Sequence, residues 1–166
     1  MRRSAFLILA ALAGAYAAPD PARAQGASPD AQGQGLPPVG EAGTAQGTNL
    51  TAAPPDTYLY IGWPNNGETV KSPFKVWFGL RNMGVAPAGV TKANTGHHHL
   101  LIDTDPGPPD QPIPSDYNNI HLGNGQTEVV VTLPKGRHTL QLLLGDHTHT
   151  PHDPPVMSQK ITVYVR

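Results

Sequence analysis

Hydrophobic and polar residues alternate with a period of two along much of the chain after residue 57. In residues 74–81, Phe74, Val76 and Phe78 fall on one face of a strand, and Lys75 and Trp77 fall on the other. Residues 126–133 alternate in the same way. Because successive side chains of a β-strand point to opposite faces, this pattern predicts strands that are buried on one side. No stretch in this part of the sequence has convincing helical periodicity.

Turn residues divide this region into seven predicted strands. Asn66-Gly67, Gly123-Asn124-Gly125 and Pro134-Lys135-Gly136 are typical of tight turns. The strands, lettered A to G, are predicted at residues 57–62, 74–81, 97–103, 117–122, 126–133, 137–145 and 156–165. Seven short strands separated by turns predict an all-β, immunoglobulin-like β-sandwich. A small barrel is the alternative.

The N-terminal residues have the features of an export signal. Residues 1–24 contain Arg2-Arg3, an apolar run at residues 5–18 and the small-x-small sequence Ala22-Arg23-Ala24. The apolar run is shorter than the roughly 20 residues that span a bilayer. We therefore expect a cleaved signal peptide, a periplasmic or secreted protein, and no membrane insertion after cleavage. A retained membrane anchor is the alternative.

Residues 25–56 have the composition of a linker. Of these 32 residues, 21 are Gly, Ala, Pro or Gln, and none is aromatic. Such a segment buries too little apolar surface to offset the entropy of ordering the chain. The sequence therefore predicts a disordered linker, which leaves residues 57–166 as the folded domain.

Charge and composition exclude several functions. Without residues 1–24 the chain has 8 basic and 11 acidic residues, a net charge of −3. It therefore lacks the basic excess that attracts nucleic acids or anionic membranes. It has no cysteine, and hence no disulfide and no thiolate ligand. It also lacks a nucleophile elbow, a phosphate-binding loop and a His-Glu-x-x-His motif. We expect a protein that is not an enzyme and has no organic cofactor.

The eight histidines provide the candidate chemistry. The up-and-down course of the predicted strands places seven of them at one end of the sandwich. His97, His98 and His99 begin strand C, His121 ends strand D, and three more lie in the F–G loop, which shares an end with the B–C loop in this architecture. His138 falls at the opposite end. We expect it to be a structural histidine with hydrogen-bonded ring nitrogens.

Several imidazoles without a thiolate favour a borderline transition metal. In strand C, His97 and His99 share one face, whereas His98 lies on the other and is expected to bond to the backbone. The affinity order of such ions favours copper over zinc. We therefore predict a copper or zinc site for metal storage, delivery or tolerance. Its candidate ligands are His97, His99, His121, His147, His149 and His152.

Other readings of these residues remain open. The histidines can be structural residues of a non-catalytic module whose partner is a cell-envelope protein. Asp146 or Asp153 are candidate acceptors for the N–H groups of metal-bound rings. Asp103, Asp105 and Asp110 resemble part of a calcium loop, although a rigid turn explains the prolines among them better.

Several blocks of the sequence resemble one known family. They are Gly96-His97-His98-His99-Leu100-Leu101-Ile102-Asp103, His121, Gly125-Gln126-Thr127-Glu128, the run from Leu133 to Leu140, and Gly145-Asp146 with His149-Thr150-Pro151-His152. Together they resemble the exported bacterial "domain of unknown function 4399" family over about residues 58–166. The resemblance implies no particular activity. Residues 64–73 resemble the opening of bacterial immunoglobulin-like modules, which supports the predicted fold by analogy.

Overall fold

A computed structural model of the chain describes residues 49–166. The predicted signal peptide and most of the predicted linker lie outside the described residues. Within residues 49–166 the chain forms nine strands, and no helix is long and apolar enough to cross a membrane. The strands are β1 (Tyr58–Trp63), β2 (Glu68–Val70), β3 (Phe74–Arg81), β4 (Gly84–Val85), β5 (Thr95–Ile102), β6 (Asn119–Leu122), β7 (Glu128–Val131), β8 (Gly136–Gly145) and β9 (Ile161–Val165).

The strands form two sheets with a hydrophobic core between them. The smaller sheet has the antiparallel order β1-β3-β7. The larger has the order β2-β9-β8-β5-β4, and β6 also pairs with β5. Val76 of the smaller sheet and Leu100, Leu140 and Leu142 of the larger are fully buried in this core. Each such side chain contributes roughly 1.5–3 kcal/mol. The predicted all-β, immunoglobulin-like sandwich is therefore confirmed.

The strand boundaries differ from the prediction where side chains replace backbone pairing. Predicted strand D begins two residues late, because the Asp116 carboxylate accepts hydrogen bonds from the amides of Asn118 and Asn119 and makes a turn there. Predicted strand G is shortened to β9. The Leu142 amide donates its hydrogen bond to the Ser158 hydroxyl instead of to a backbone carbonyl. Predicted strand E also shortens, to β7. The additional strands β2 and β4 are only three and two residues long.

The proline-rich loop after β5 covers the outer face of the larger sheet. Its residue Ile113 packs on Leu101 and Leu143, which point away from the main core. The Ile113 amide donates a hydrogen bond of 2.8 Å to the carbonyl of His149. The apolar outer face draws the loop back along the sheet, towards the loop that carries His149.

Three residues of the predicted linker pair with the folded domain. The amide of Ala53 donates to the carbonyl of Asp153, and the amide of Asp153 donates to the carbonyl of Thr51, both at 2.9 Å. Residues 51–53 therefore run alongside the segment that follows β8. The paired part of the chain begins before residue 57, where the sequence analysis placed the domain boundary.

Candidate metal centre

The register of β5 divides its three histidines between the two faces of the larger sheet. His98 lies opposite Leu144 and faces the core. There its ring contacts the ring of Phe78, with the two ring centroids 4.8 Å apart. Its Nδ1 donates to the carbonyl of Gln126 at 3.0 Å. His97 and His99 point to the outer face. The predicted alternation, including the backbone hydrogen bond of His98, is confirmed.

On the outer face, four imidazole rings contact one another. His99 lies directly opposite His121 in the β5–β6 pairing, and the centroids of their rings are 5.0 Å apart. The Nε2 atoms of His97 and His99 are 3.1 Å apart. One ligand atom from each of His97, His99 and His121 lies within 4.8 Å of the other two. The strand pairing therefore brings together nitrogens that are up to 24 residues apart in sequence.

His149 is the fourth ring, and it comes from the loop after β8. Its centroid is 4.7 Å from that of His121, 5.0 Å from that of His97 and 6.1 Å from that of His99. Its ligand atoms are not among those that lie within 4.8 Å of one another. His97 and His99 are fully buried, whereas His121 and His149 are half-buried. The cluster therefore has a closed side on the sheet and an open side at the loop.

Two glycines make room for the rings. A Cβ on Gly123 would lie 2.4 Å from His121 Nε2, so the ring of His121 occupies the space that a side chain would fill. A Cβ on Gly145 would lie 3.1 Å from His99 Nε2. In the sequence, Gly123 is recognisable only as a turn residue. Its second role is not predictable from the sequence, because the contact depends on the direction of the His121 ring.

Three imidazoles of the cluster, those of His97, His99 and His121, have lowered pKa values and are neutral at neutral pH. Burial, followed by the neighbouring His149 and His121, lowers the pKa of His97 to about 4. Burial and then the adjacent His97 lower the pKa of His99 to about 3. The pKa of His121 is also lowered, by burial and by His149. Neutral rings retain the lone pair that a metal ion needs.

Buried ring nitrogens in the cluster lack hydrogen-bond partners among the described residues. They are Nδ1 of His97, Nδ1 of His99 and Nε2 of His121. Between His97 and His99, one neutral ring donates its Nε2 proton and the other accepts it. A buried polar atom without a partner is costly, and such atoms in a native fold call for an explanation such as an ion or a water molecule.

The other two candidate ligands lie outside this group of rings. His147 is exposed by 39% on the same loop, and its Nδ1 is 3.8 Å from Asp146 Oδ2. His152 is fully buried against Gly96: a Cβ there would lie 2.9 Å from His152 Cε1 and 2.9 Å from Leu144 Cγ of the main core. The predicted position of the F–G loop, at the same end of the sandwich as the start of strand C, made all three of its histidines candidate ligands. The structure brings only His149 into contact with the rings from β5 and β6.

The nearby carboxylates form hydrogen bonds or ion pairs with residues outside the cluster. Asp146 accepts hydrogen bonds from Thr51, Thr148 and Thr150 rather than from a ring of the cluster. Asp103 pairs with His138, and Asp105 pairs with Lys160, so neither is available as an uncommitted calcium ligand. Both ring nitrogens of His138 are hydrogen-bonded, to Asp103 and to the carbonyl of Pro134, which confirms its predicted structural role.

A family model described as "Domain of unknown function (DUF4399)" matches residues 76–166, more than half of the chain. The chain belongs to this family. The match begins at Val76 in β3, later than the resemblance seen in the sequence, and includes every histidine of the cluster. Neither the curated proteins nor the solved structures contain a match to this DUF4399 chain.

Proposed function

We propose that this DUF4399 domain binds a transition-metal ion through His97, His99 and His121. The observation that carries the proposal is the convergence of three neutral imidazoles, with ligand atoms within 4.8 Å of one another, on one face of a sheet. Two nitrogens bound to one tetrahedral ion at 2.0–2.1 Å are about 3.3 Å apart. The 3.1 Å between the Nε2 atoms of His97 and His99 is close to that spacing. A cation bound there would take the place of the proton between the two rings, and that proton would move to the Nδ1 of the ring that carried it, which has no partner among the described residues.

The ligand chemistry favours copper before zinc. The site offers imidazole nitrogen and no thiolate, since the chain has no cysteine. Imidazole suits both ions, and for a given set of nitrogen ligands Cu(II) binds more tightly than Zn(II). Because the pKa values of His97 and His99 are far below neutrality, protons compete weakly with the metal at these two rings.

The open side of the cluster suits binding and release rather than catalysis. His121 and His149 are half-buried, so the loop side is the side of the site nearest to solvent. We propose storage, delivery or tolerance of the metal as the role, and the periplasm or the exterior as the location. The export signal predicted in residues 1–24 supports this location.

The proposal is tested by measuring bound metal. The full chain is dialysed against copper or zinc, and the metal content is determined by mass spectrometry. We expect one ion per chain. In a His97→Ala/His99→Ala double variant, the affinity should fall by more than about 100-fold, beyond the range typical for outer-shell partners alone. Circular dichroism checks that the variant retains its β-structure.

His147→Ala is the matched control. It removes an imidazole from the same end of the molecule, but one that lies outside the cluster. We expect metal binding to be unchanged in this variant. If the wild-type chain binds neither metal stoichiometrically, or if the double variant binds as well as the wild type, the site is not a metal centre. The histidines would then be structural residues of a module that binds another macromolecule.

A further inference from the structure

The loop that carries His149 is held in an unusual conformation. His149 has a φ of 69°, in the left-handed region that residues other than glycine rarely adopt. Such a residue persists only where its surroundings hold it. The His149 amide donates a hydrogen bond of 3.0 Å to the carbonyl of Asp146, and the His149 carbonyl accepts a hydrogen bond from the Ile113 amide. This backbone conformation directs the His149 ring towards the rings of β5 and β6.

Asp146 organises the turn around His149. Its side chain is almost fully buried. Oδ1 accepts hydrogen bonds from the Thr148 amide at 2.8 Å, the Thr148 hydroxyl at 2.7 Å and the Thr150 amide at 3.0 Å. The carboxylate therefore holds the backbone on both sides of His149. Burial alone would raise the pKa of Asp146, but hydrogen bonds from Thr51, Thr148 and Thr150 lower it, so the carboxylate is charged at neutral pH.

The remaining Asp146 oxygen is bound from outside the loop. The hydroxyl of Thr51 donates to Oδ2 at 2.7 Å, across 95 positions of sequence. The neighbouring backbone, residues 51–53, pairs with Asp153 at the other end of the loop. The segment that precedes β1 thus contacts both ends of the loop, at Asp146 and at Asp153.

We propose that Thr51 and Asp146 position His149 as the fourth ligand of the metal centre, so that the segment before β1 sets the metal affinity. This inference rests on the proposed function. The three rings from β5 and β6 form the rigid part of the site, and His149 closes on the ion from the loop. Because its ring already contacts those of His97 and His121, a small movement of the loop or a rotation of the ring completes the shell.

Thr51→Val tests the coupling, because valine keeps the shape of threonine and removes the hydroxyl donor. The affinity of the full chain for zinc is measured by competition with a chromophoric chelator. We expect a loss of about tenfold, the lower end of the range for partners that orient metal ligands. Thr57→Val is the matched control. It removes a hydroxyl hydrogen bond of similar length, to the carbonyl of Pro54 rather than to Asp146, and should leave the affinity unchanged.

A double-mutant cycle separates positioning from a general loss of structure. If Thr51 acts through His149, Thr51→Val has no further effect on zinc affinity in a His149→Ala background. X-ray absorption spectra of the zinc-loaded protein should report four imidazoles in the wild type and three in His149→Ala. An equal loss from Thr51→Val in both backgrounds, or three imidazoles in the wild type, overturns the inference and leaves the three-histidine site intact. Absence of zinc and copper binding in the wild type overturns the proposed function itself.

Discussion

Two buried histidines of the larger sheet, His98 and His138, have opposite protonation chemistry. His98 donates from Nδ1 to a carbonyl, and its Nε2 has no partner among the described residues, so the ring is neutral. Burial lowers the pKa of His98 to about 4. His138 faces acceptors on both sides, the Asp103 carboxylate and the Pro134 carbonyl, and can satisfy both only as an imidazolium. The surroundings of each ring, rather than its residue type, decide its charge.

The pair of His138 and Asp103 should make stability depend on pH. Burial alone would lower the pKa of His138, but hydrogen bonds to Asp103 and Pro134 raise it. Burial would raise the pKa of Asp103, but His138 and Thr139 lower it. The contribution of His138 to the free energy of unfolding is fully present below its unfolded pKa of 6.5. It is lost as the pH rises through the raised pKa of the folded state. The contribution of Asp103 to the free energy of unfolding is fully present above its unfolded pKa of 3.8. It is lost as the pH falls through the lowered pKa of the folded state.

Asp103→Asn should therefore lower the free energy of unfolding more at mildly acidic than at alkaline pH. Because Asp103 is partly exposed, we expect a difference of about 1 kcal/mol. Urea denaturation at about pH 5.5 and about pH 8.5 measures it. Asp105→Asn removes an exposed carboxylate paired with Lys160 and should show no such dependence. Equal destabilisation by Asp103→Asn at both pH values would contradict the charged pair.

At the residue scale, alternation predicted which face of the sheet each β5 histidine occupies. No pattern in the sequence predicted the directions of the loop histidines. The period of two correctly separated His97 and His99 from His98, because a strand leaves each side chain only two directions. His147, His149 and His152 follow no such rule. Their directions depend on the Asp146 network and on a left-handed φ, both of which need contacts with Thr51 and Ile113.

At the scale of elements, the site depends on glycines that leave space for rings. The β6 turn is the clearest case, because the His121 ring lies where a Gly123 side chain would be. We expect Gly123→Ala to displace this ring from the cluster and to weaken zinc binding at least tenfold, the scale seen when the support of a metal ligand is lost. The domain should stay folded, since the ring moves towards solvent. Calorimetric titration with zinc measures the affinity.

Gly107→Ala is the control for this change. A Cβ at Gly107 meets nothing within 4 Å, so the variant should bind zinc like the wild type. If Gly123→Ala also binds like the wild type, His121 is not needed in the position that the structure gives it.

The longer strands were predictable and the loops were not. The strands β3, β5 and β8 were predicted from the sequence to within two residues, because each is eight or ten residues long and bounded by turn residues. The strands β2 and β4 are too short to show a period. The return of the proline-rich loop over the sheet depends on the fit of Ile113 to Leu101 and Leu143, which no local pattern encodes.

At the scale of the whole molecule, the proposed metal centre and the hydrophobic core share the sheet that contains β5 and β8. An ion that binds only the folded state should stabilise the entire domain. At a free zinc concentration 100 times the dissociation constant, the gain is about 2.7 kcal/mol. For a domain of this size, that raises the Tm by roughly 10 °C. Thermal unfolding followed by circular dichroism, with and without zinc, measures the shift.

The His97→Ala/His99→Ala variant provides the comparison for this experiment. Its Tm should not respond to zinc at the same concentration. A similar rise in both proteins would mean that the ion stabilises the fold from another place, such as the exposed His147.

The alternation within β5 also constrains how the chain can misfold. A shift of one residue against β8 would send His97 and His99 into the hydrophobic interior and bring Leu100 and Ile102 out to the solvent side. The mis-paired form would lose its metal ligands and its apolar packing in a single step. Metal uptake would thus report correct strand pairing, and a batch of protein that binds less than one ion per chain would contain misaligned molecules.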